Sequence, residues 1–368
     1  MASTSPRLRP GQTITNDDGR KYCIQAYIAG GGYGSVYRAT AMSGRGQRKA
    51  TTVCVKICAS ADDWHCEAHF GNLLSGYSEV VELLDSFAFG TGAGRRTRYV
   101  LVTEYMPEGT VADLADDRDW RGWTPGRVRR EISRLLKVLA LMHASGVTHR
   151  DIKPANVFIR DGHLVLGDFG ISKHSLTPRR SAIDAYTPAY SPNNMDERQN
   201  WATWVDIYQV GLLAGTLLTG DDFDSSHVPG IRDLDIPDDL KCWMWHATAH
   251  HGLRYVSGLQ ASQALRQLRD VDMRDKSGPK SIRGHHVTLT GRFAMGSQRK
   301  LAQMISRAGG TVQSTVTDKT TVLVRAGSMA NTVGVGEGSK LFEVRERKRR
   351  GERIHVISEE RLGALLER

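Results

Sequence analysis

Four polar residues, Asp151, Lys153, Asn156 and Asp168, fall within the stretch VTHRDIKPANVFIRDGHLVLGDFG, residues 147 to 170. Transfer of a phosphoryl group needs a carboxylate that orients the attacking hydroxyl and accepts its proton. It also needs oxygen ligands that hold Mg²⁺ on the nucleotide phosphates. This stretch supplies both kinds of group. The same aspartates could instead be turn residues between hairpin strands, which is a common use of Asp.

The surrounding pattern predicts the elements that must position these residues. Two short apolar runs, residues 157 to 159 and 164 to 166, predict hairpin strands that fold back between the polar residues. Upstream, residues 124 to 145 predict a long helix, because Thr124 is a suitable N-cap followed by proline, and Gly146 ends the pattern. The apolar face of this helix comprises Val128, Ile132, Leu135, Leu136, Leu139 and Met142.

The letters HRDIKPAN and DFG within this stretch resemble the signatures of the eukaryotic-type protein kinase family. The resemblance implies an α+β, bilobal protein kinase fold with ATP and Mg²⁺ as cofactors. It implies that Asp151 is the catalytic base, that Lys153 neutralises the transferring phosphate, and that Asn156 and Asp168 hold Mg²⁺. In this family, a lysine two places after the catalytic Asp accompanies serine or threonine as acceptor. A protein substrate with a Ser or Thr acceptor is therefore expected.

Near the amino end, YIAGGGYGSVYRA, residues 27 to 39, predicts two strands joined at a glycine cluster. Glycines let the backbone approach phosphates, and backbone N–H groups can bind anions, although many glycine clusters are only hairpin turns. Ala29 stands where the kinase family has its first glycine. The resemblance implies nucleotide binding by Ile28, Ala29, Gly30, Gly31, Gly32, Tyr33, Gly34 and Val36.

One lysine, Lys56, lies in the β-branched run TTVCVKIC. Burying it among valines would be costly without an anion. By resemblance, this lysine contacts the α and β phosphates. Glu67, in the next predicted helix, is the expected ion-pair partner. The alternative is that Glu67 lies on an exposed helix face.

The segment YVLVTEYMPEGTVADL, residues 99 to 114, predicts a buried strand that ends in a Pro-Gly turn. It resembles the hinge between the two kinase lobes. Thr103 would then lie at the back of the adenine pocket, and backbone groups of Glu104 and Met106 would hydrogen-bond the base. An ordinary core strand would show the same pattern, so the hinge prediction depends on the flanking motifs.

Residues 171 to 193 are polar and basic, and resemble a kinase activation segment. Arg150 is the residue that in related kinases grips a phosphate on this segment, which predicts activation by phosphorylation. Asn193 replaces the family's usual glutamate, whose partner would be Arg254, so that salt bridge is absent or remade. Asp206 matches the helix that anchors the lower lobe. The candidate regulatory hydroxyls, each of which could be merely solvated, are Ser172, Ser175, Thr177, Ser181 and Thr187.

Composition and pattern predict a lead-in at residues 1 to 17, a protein kinase domain at 18 to 269, a linker at 270 to 283 and a second domain at 284 to 368. The second domain alternates strand and helix. It resembles a BRCT domain of the DNA ligase and clamp-loader type: TG follows the first strand, GG closes the first helix, and GSK opens the second. That resemblance implies a small α/β domain with a four-stranded parallel sheet. The family's customary tryptophan in the last helix is missing.

The basic excess of the chain lies near its carboxyl end. Residues 278 to 368 carry seventeen Lys and Arg against eight Asp and Glu, so they hold +9 of the formal net charge of +10. This favours a polyanionic partner, although a solvated basic face is the simpler alternative. The run RERKRRGER, residues 345 to 353, could extend along a DNA backbone or be a solvated helix face.

A phosphate site is expected in the second domain, at a strand end and two helix starts. Helix amino ends favour negative charge, and the residues concerned are Thr290, Gly291, Arg299 and Lys340. Such a site could hold a DNA 5′-phosphate end or a phosphoprotein. The alternative is a strand-end turn with two surface cations.

Five irregularly spaced cysteines indicate reduced thiols, and the longest apolar run, residues 210 to 218, is too short to cross a bilayer. A cytoplasmic protein without membrane contact is therefore expected. The leading hypothesis is a serine/threonine protein kinase that its BRCT domain recruits in DNA-damage or DNA-metabolism signalling. The rival hypotheses are a catalytically idle kinase-fold scaffold and a DNA-binding adaptor.

Overall fold

The computed structural model describes residues 7–31, 34–42, 50–90, 97–174, 187–192, 202–249, 252–267, 278–326 and 338–367. The chain divides into two compact units, Met1–Ser226 and His227–Arg368.

The first unit begins with a six-stranded sheet in the order β1-β2-β3-β4-β6-β5, and all its strand pairs are antiparallel. Alternating β-branched and aromatic residues suit strands that bury one face. The strands are β1 Thr13–Thr15, β2 Lys21–Gly31, β3 Gly34–Met42, β4 Thr51–Cys58, β5 Leu83–Phe89 and β6 Arg98–Glu104.

The core of this sheet includes residues that the sequence assigned to a loose lead-in. Leu8 and Ile14 are buried with Tyr22, Tyr37 and Val55, and Ile14 pairs with Tyr22 across β1 and β2. The prediction of an unstructured segment was therefore wrong for the described residues from Leu8 to Thr15, because their apolar side chains complete the sheet core.

Helices and a small hairpin follow the sheet in the first unit. Helix α3 confirms the prediction for residues 124 to 145: Thr124 caps it by accepting a hydrogen bond from the Arg127 amide, and its apolar face is buried. Helix α4 is buried along nearly its whole length and ends at Gly220, whose φ of 83° needs glycine. The elements are α1 Ala61–Leu73, α2 Val111–Ala115, α3 Pro125–Ala144, β7 Val147–Thr148, β8 Val157–Arg160, β9 His163–Leu166, β10 Lys173–His174 and α4 Thr203–Thr219, with 3-10 turns at Pro154–Asn156 and Pro188–Tyr190.

The second unit contains two helices followed by an α/β module. Its four strands lie in the order β12-β11-β13-β14, and every pair is parallel, which confirms the predicted four-stranded parallel sheet. Its elements are α5 Asp238–Ala247, α6 Gly258–Gln267, β11 His286–Thr290, α7 Gln298–Arg307, β12 Thr311–Gln313, β13 Val322–Arg325, α8 Ser339–Arg349, β14 His355–Ser358 and α9 Glu359–Leu366. A 3-10 helix at Ser225–Asp233 precedes α5.

The buried core of the parallel sheet begins earlier along the chain than the predicted boundary at residue 284, although its first strand starts at His286. Ile282 is buried in the same core as Val287, Leu301 and Val324, and the Gly284 amide donates to the Gly309 carbonyl. We refer to residues 278–326 and 338–367 as the C-terminal module. Among the residues that the structure describes, no helix is both long and apolar enough to cross a membrane.

Candidate active site

The polar stretch folds as predicted around a short hairpin. Strands β8 and β9 pair antiparallel, with Val157 opposite Leu166. Their turn places Asp161 at a φ of 52° and is completed by a glycine. At the open end of the hairpin, the Gly167 amide donates to the Asn156 carbonyl at 3.0 Å. The hairpin therefore holds the two polar ends of the stretch side by side.

Asp151 is the centre of a hydrogen-bonded group. The side-chain amide of Asn156 donates to the Asp151 carboxylate at 2.8 Å and to its carbonyl at 2.9 Å. The ammonium of Lys153 lies 2.9 Å from the same carboxylate. The Thr187 hydroxyl donates to the other carboxylate oxygen at 2.9 Å and accepts from Lys153 at 2.8 Å. The Asp151 side chain is thus held in one orientation by three neighbours.

A second group joins Lys56 to two carboxylates. Its Nζ lies 2.6 Å from Glu67 Oε2 and 3.1 Å from Asp168 Oδ1. Burial alone would lower the pKa of Lys56, but Asp168 and Glu67 outweigh it and the pKa is raised. Burial raises the pKa of Glu67 to about 7, against the opposing effect of Lys56. Burial also disfavours a charged Asp168, yet Lys56 and the Gly170 amide hold its pKa below the usual value.

The backbone around Asp168 is also constrained. Asp168 has a φ of 56°, a strained conformation for a residue with a side chain. The Phe169 ring packs edge-on against the His149 ring at 4.9 Å, and the His149 Nε2 lies 3.1 Å from the Gly167 carbonyl. These contacts hold the backbone on both sides of Asp168, and so they keep its carboxylate directed at Lys56.

Helix α4 fixes the loop at residues 149 to 156, which carries Asp151 and which we call the catalytic loop. It does so through two residues, only one of which was predicted from the sequence. Asp206 accepts the backbone amides of His149 and Arg150, both at 2.8 Å, and lies 2.9 Å from His143 Nε2. Gln209 accepts the Ile152 amide at 2.9 Å and donates to the Arg150 carbonyl at 3.0 Å. The roles of Gln209 and His143 were not predicted from the sequence. Gln209 lies three residues after Asp206, which places both on one face of a helix. This spacing was the sequence signal that could have identified Gln209.

The glycine region forms β2 and β3, which pair up to Gly31 opposite Gly34. Gly34 has a φ of 135°, and a Cβ there would lie 2.1 Å from the Ile57 carbonyl oxygen, so only glycine fits. Val36 lies opposite both Ala29 and Lys56 in the sheet register. Ile28, Ala29 and Gly30 are exposed on the same strand. Gly32 and Tyr33 lie outside the described residues.

The predicted hinge residues lie at the end of β6, where Thr103 and Glu104 are its last two residues, and just beyond it at Met106. The Glu104 carboxylate pairs with Arg160 at 2.5 Å, and its amide donates to the Glu82 carbonyl at 3.1 Å. Met106 is buried, and its carbonyl accepts the Gly109 amide at 3.2 Å. Thr103 lines a narrow cavity of about 30 Å³ together with Glu67, Leu101 and Phe169. Thr103 therefore shares a cavity with both carboxylate partners of Lys56, Glu67 and Asp168, and its place at the back of an adenine pocket stays a prediction.

The predicted regulatory residues fall into three groups. Ser172 is buried and its hydroxyl donates to the His149 carbonyl at 3.3 Å, while the Thr187 hydroxyl is bound to Asp151. The Ser172 hydroxyl is therefore not presented to solvent, whereas Thr187 is half-buried, and a regulatory role for either residue stays a prediction. Arg150 is buried, and its Nε donates to Thr148 at 3.0 Å. Ser175, Thr177, Ser181 and Asn193 lie outside the described residues, so their regulatory roles, and the pairing of Asn193 with Arg254, stay predictions.

A larger cavity of about 130 Å³ lies beside the catalytic loop. Its walls include Lys153, Pro154, Ala155, Tyr190 and Asp222. Tyr190 donates its hydroxyl to Asp222, and burial, followed by this hydrogen bond, raises the pKa of Tyr190. The cavity therefore lies next to Lys153 and is lined on another side by Ala112, Ala115 and Asp116 of α2 and its C-cap.

In the C-terminal module, the predicted phosphate site lies at the carboxyl edge of the parallel sheet. Gly291 follows β11 with a φ of 98°, and its carbonyl accepts the Gln298 side-chain amide at the start of α7. Arg299, next along α7, is exposed. Lys340, in the first turn of α8, donates to the Leu289 carbonyl at 2.9 Å, and burial lowers its pKa. A Cβ on Gly338, the N-cap of α8, would lie 3.9 Å from the Thr290 hydroxyl. The two helix starts therefore flank Thr290.

Fold and site together place a lysine paired with two carboxylates on an antiparallel sheet and helix, and a further carboxylate on a hairpin, which is the set of groups that phosphoryl transfer uses. Comparison with known families agrees with this class. A family model described as "Protein kinase domain" matches residues 22–257, well over half of the chain. The chain belongs to the protein kinase family.

Individual relatives agree with this assignment. The chain is 28% identical to the probable serine/threonine-protein kinase pknA2 of Bifidobacterium longum over 284 residues, 70% of this chain and 36% of that protein. It is 28% identical to the serine/threonine-protein kinase PkaA of Streptomyces coelicolor over 227 residues, 55% of this chain and 39% of that protein. It is 33% identical to cyclin-dependent kinase 20 of Danio rerio over 162 residues, 42% and 43% of the two chains. The matched regions thus span less than half the length of these relatives.

Proposed function

We propose that the protein is an ATP-dependent serine/threonine protein kinase. The observation that carries this proposal is the pairing of Lys56 with Glu67 and Asp168, close to an Asp151 carboxylate held by Asn156 and Lys153. In a kinase, the first group positions and neutralises the nucleotide phosphates, and the second receives the proton of the acceptor hydroxyl. The names of the two bacterial relatives favour serine and threonine as acceptors.

Each described residue has a role that follows from its contacts. Asp151 accepts the proton, since Asn156 and Thr187 keep its carboxylate in one direction. Lys153 places a positive charge next to that carboxylate, where the transferring phosphoryl group must pass. Lys56 holds the α and β phosphates, and Glu67 keeps its ammonium directed at them. The cavity lined by Lys153 and Asp222 is the side from which a protein hydroxyl would enter.

The donor set fits Mg²⁺. Asp168 uses one carboxylate oxygen for Lys56 and the Gly170 amide, and Asn156 uses its amide nitrogen for Asp151. Oxygen atoms of both side chains therefore stay available, and oxygen ligands are what this hard cation prefers. Bound there with ATP, Mg²⁺ would neutralise charge that develops on the phosphates.

The C-terminal module, in this proposal, is a BRCT domain whose Thr290, Gly291, Arg299 and Lys340 bind a DNA 5′-phosphate end or a phosphoprotein. Supporting features are the parallel sheet, the two helix starts beside Thr290, and the basic charge of residues 278 to 368. Such recruitment would place the kinase inside the cell, in DNA-damage or DNA-metabolism signalling. A DNA-binding adaptor and an idle kinase-fold scaffold are the rival functions.

The kinase proposal is tested with Asp151→Asn and the matched control Asp161→Asn, in the turn of the same hairpin. Incubation with Mg²⁺ and γ-labelled ATP should label the wild-type protein and the control equally. We expect Asp151→Asn to lose about 10²- to 10⁴-fold in rate because the proton acceptor is gone. Phosphopeptide mapping then identifies the acceptor residues. Wild-type labelling of Asp151→Asn would refute the assigned base, and nucleotide binding without any transfer would favour the scaffold.

The recruitment proposal has a separate test. Binding of a 5′-phosphorylated duplex, its unphosphorylated form and a phosphopeptide is compared at several salt concentrations, for wild type, Arg299→Ala and Lys319→Ala. Lys319 is exposed at the opposite, amino edge of the sheet and serves as the control. Phosphate-dependent binding that weakens in Arg299→Ala alone supports the site. Equal binding of both duplexes by all three proteins contradicts it.

A further inference from the structure

Helix α8 buries charged side chains that its sequence placed on a surface. Arg345 is 3% exposed and Glu346 is 4% exposed, and the Arg349 side chain is 3% exposed. Lys, Arg, Glu and Asp are almost never fully buried unless they are paired. Neither expectation for this run, a contact along DNA or a solvated face, therefore describes these three residues.

The surface that buries them is formed by α5 and the segment after it. The Phe342 ring lies 4.3 Å from the His246 ring and 5.9 Å from the Tyr255 ring. The Arg345 guanidinium donates to the Cys242 thiol at 3.1 Å. Phe342 is 3% exposed and Tyr255 is fully buried. Cys242, His246 and Tyr255 lie within the region that matches the kinase family, whereas α8 belongs to the C-terminal module.

Two different faces of α8 are covered. Leu341 and Val344 pack with Leu323, Ile354 and Val356 of the module's own sheet. The second face has the spacing i, i+3, i+4, i+7, which places its members on one stripe of a helix. It consists of Phe342, Arg345, Glu346 and Arg349, and we call it the docking face.

The charges on the docking face are arranged to suit a closed environment. Arg349 donates to Glu346. Burial raises the pKa of Glu346, although Arg349 and Arg345 oppose this. Opposite them, burial, with Arg345 and Arg349 as further causes, lowers the pKa of His246 to about 3. The ring is therefore neutral at physiological pH, and its Nδ1–H donates to the Leu253 carbonyl at 2.8 Å. A buried charge without its partners raises the free energy of the folded state. A surface of this kind therefore favours the one docked arrangement in which every charge meets its partner.

We propose that α8 is an intramolecular docking helix, whose docking face anchors the C-terminal module to α5 and Tyr255 of the kinase region. The partner of this face is α5 and Tyr255 of the same compact unit, so the module is fixed to these two elements and is not free to move on its linker. Of the basic run 345 to 353, the exposed Arg350 and Arg353 remain available to a polyanion.

The proposal has a consequence for recruitment. Lys340, in the first turn of α8, belongs to the candidate phosphate site, while Phe342 and Arg345 follow within the next turn on the docking face. A ligand at Thr290 and Lys340 would contact the same rigid helix that holds α5. This consequence rests on the proposed function, but the docking itself does not.

The test uses the full chain with a site-specific protease sequence inserted after residue 272. After complete cleavage, we expect the two fragments to elute together in size-exclusion chromatography at micromolar concentration. The same cleavage is carried out on Phe342→Ala, which removes the ring contact with His246, and on the control Arg350→Ala, whose side chain is exposed at the C-cap of the same helix. Fragments should separate in Phe342→Ala and stay together in Arg350→Ala.

Amide hydrogen exchange on the uncleaved proteins guards against a variant that simply unfolds. In Phe342→Ala, peptides covering α5 should exchange at least tenfold faster than in wild type, while peptides covering β13 keep their protection. Wild-type fragments that elute separately, or α5 protection unchanged in a folded Phe342→Ala, would overturn the proposal. If Phe342→Ala loses protection in β13 as well, Arg345→Met is used in its place. For that variant too we expect the cleaved fragments to separate and the α5 peptides to exchange faster.

Discussion

Two groups of buried charged side chains, one around Asp151 and Lys56 and the other on the docking face of α8, differ in how they are matched. In the first, Lys56 and Lys153 each have a carboxylate within 3 Å, and Asp206 accepts two backbone amides. In the second, Arg345 and Arg349 share their space with Glu346, a thiol and a neutral histidine. The first group has the paired charges that phosphoryl transfer needs. The second group has charges matched only to one another and to neighbouring buried side chains, as a stable packing contact needs.

This difference predicts which property of the protein, turnover or stability, changes when each group is substituted. Substitutions in the first group should change turnover more than stability, because in the proposed function its charges face a substrate. Substitutions in the second should change stability and its pH dependence, because its charges face one another. Asp206 lies between these cases, since it supports the catalytic loop without contacting a substrate.

Among the substitutions that test this difference, the largest effect is expected for Lys56→Met. Loss of this cation removes electrostatic stabilisation of the phosphates, and we expect kcat/KM for ATP to fall about 10²- to 10³-fold, or roughly 3–4 kcal/mol. The thermal midpoint should move little, since the raised pKa of Glu67 allows it to become protonated once its partner is gone. Lys137→Met, an exposed lysine on α3, is the control. A Lys56→Met enzyme with more than a tenth of wild-type kcat/KM would break the comparison.

A slightly smaller effect is expected for Asp206→Asn. The substitution leaves one acceptor oxygen for two backbone amides and removes the charge beside His143. We expect the free energy of unfolding to fall by about 3 kcal/mol and turnover to fall with it. Urea denaturation of this variant and of the exposed Asp221→Asn measures the change. An unfolding midpoint equal to that of Asp221→Asn would show that Asp206 does not support the loop.

The smallest effect, and the one specific to the second group, concerns acid. The unfolded chain binds a proton at His246 near the ordinary pKa of 6.5, whereas the folded chain does so only at about pH 3. The free energy of unfolding should therefore decrease as the pH falls below about 6.5, by about 2 kcal/mol at pH 5. Denaturant midpoints between pH 5 and 7 measure this slope in wild type, His246→Phe and the exposed His227→Phe.

The His246→Phe variant keeps an aromatic ring against Phe342 but cannot take up a proton. Its free energy of unfolding should therefore fall with pH less than that of wild type, by about 2 kcal/mol at pH 5. The His227→Phe slope should match that of wild type. Identical slopes in all three proteins would mean that His246 is not the group whose protonation destabilises the second unit, and the contrast between the two charged groups would lose its pH signature.

The sequence predicted the hairpin that joins Asp151, Asn156 and Asp168 well because a hairpin forms from local preferences. Asp151, Asn156 and Asp168 are joined by one hairpin, and strand and turn preferences over a few residues are enough to form it. Helix α3 was predicted from its N-cap and its apolar periodicity for the same reason. The parallel sheet of the C-terminal module followed from alternating strands and helices.

What the sequence alone determined is therefore the set of elements and the short motifs, since these depend on neighbours along the chain. Only the tertiary structure decided that Gln209 holds the catalytic loop, that Ser172 is buried, and that Arg345 meets Cys242. These contacts join residues far apart in sequence, and a charged helix has the same composition whether water or another helix covers it. Burial, and with it the role of each charge, is a property of the packed chain.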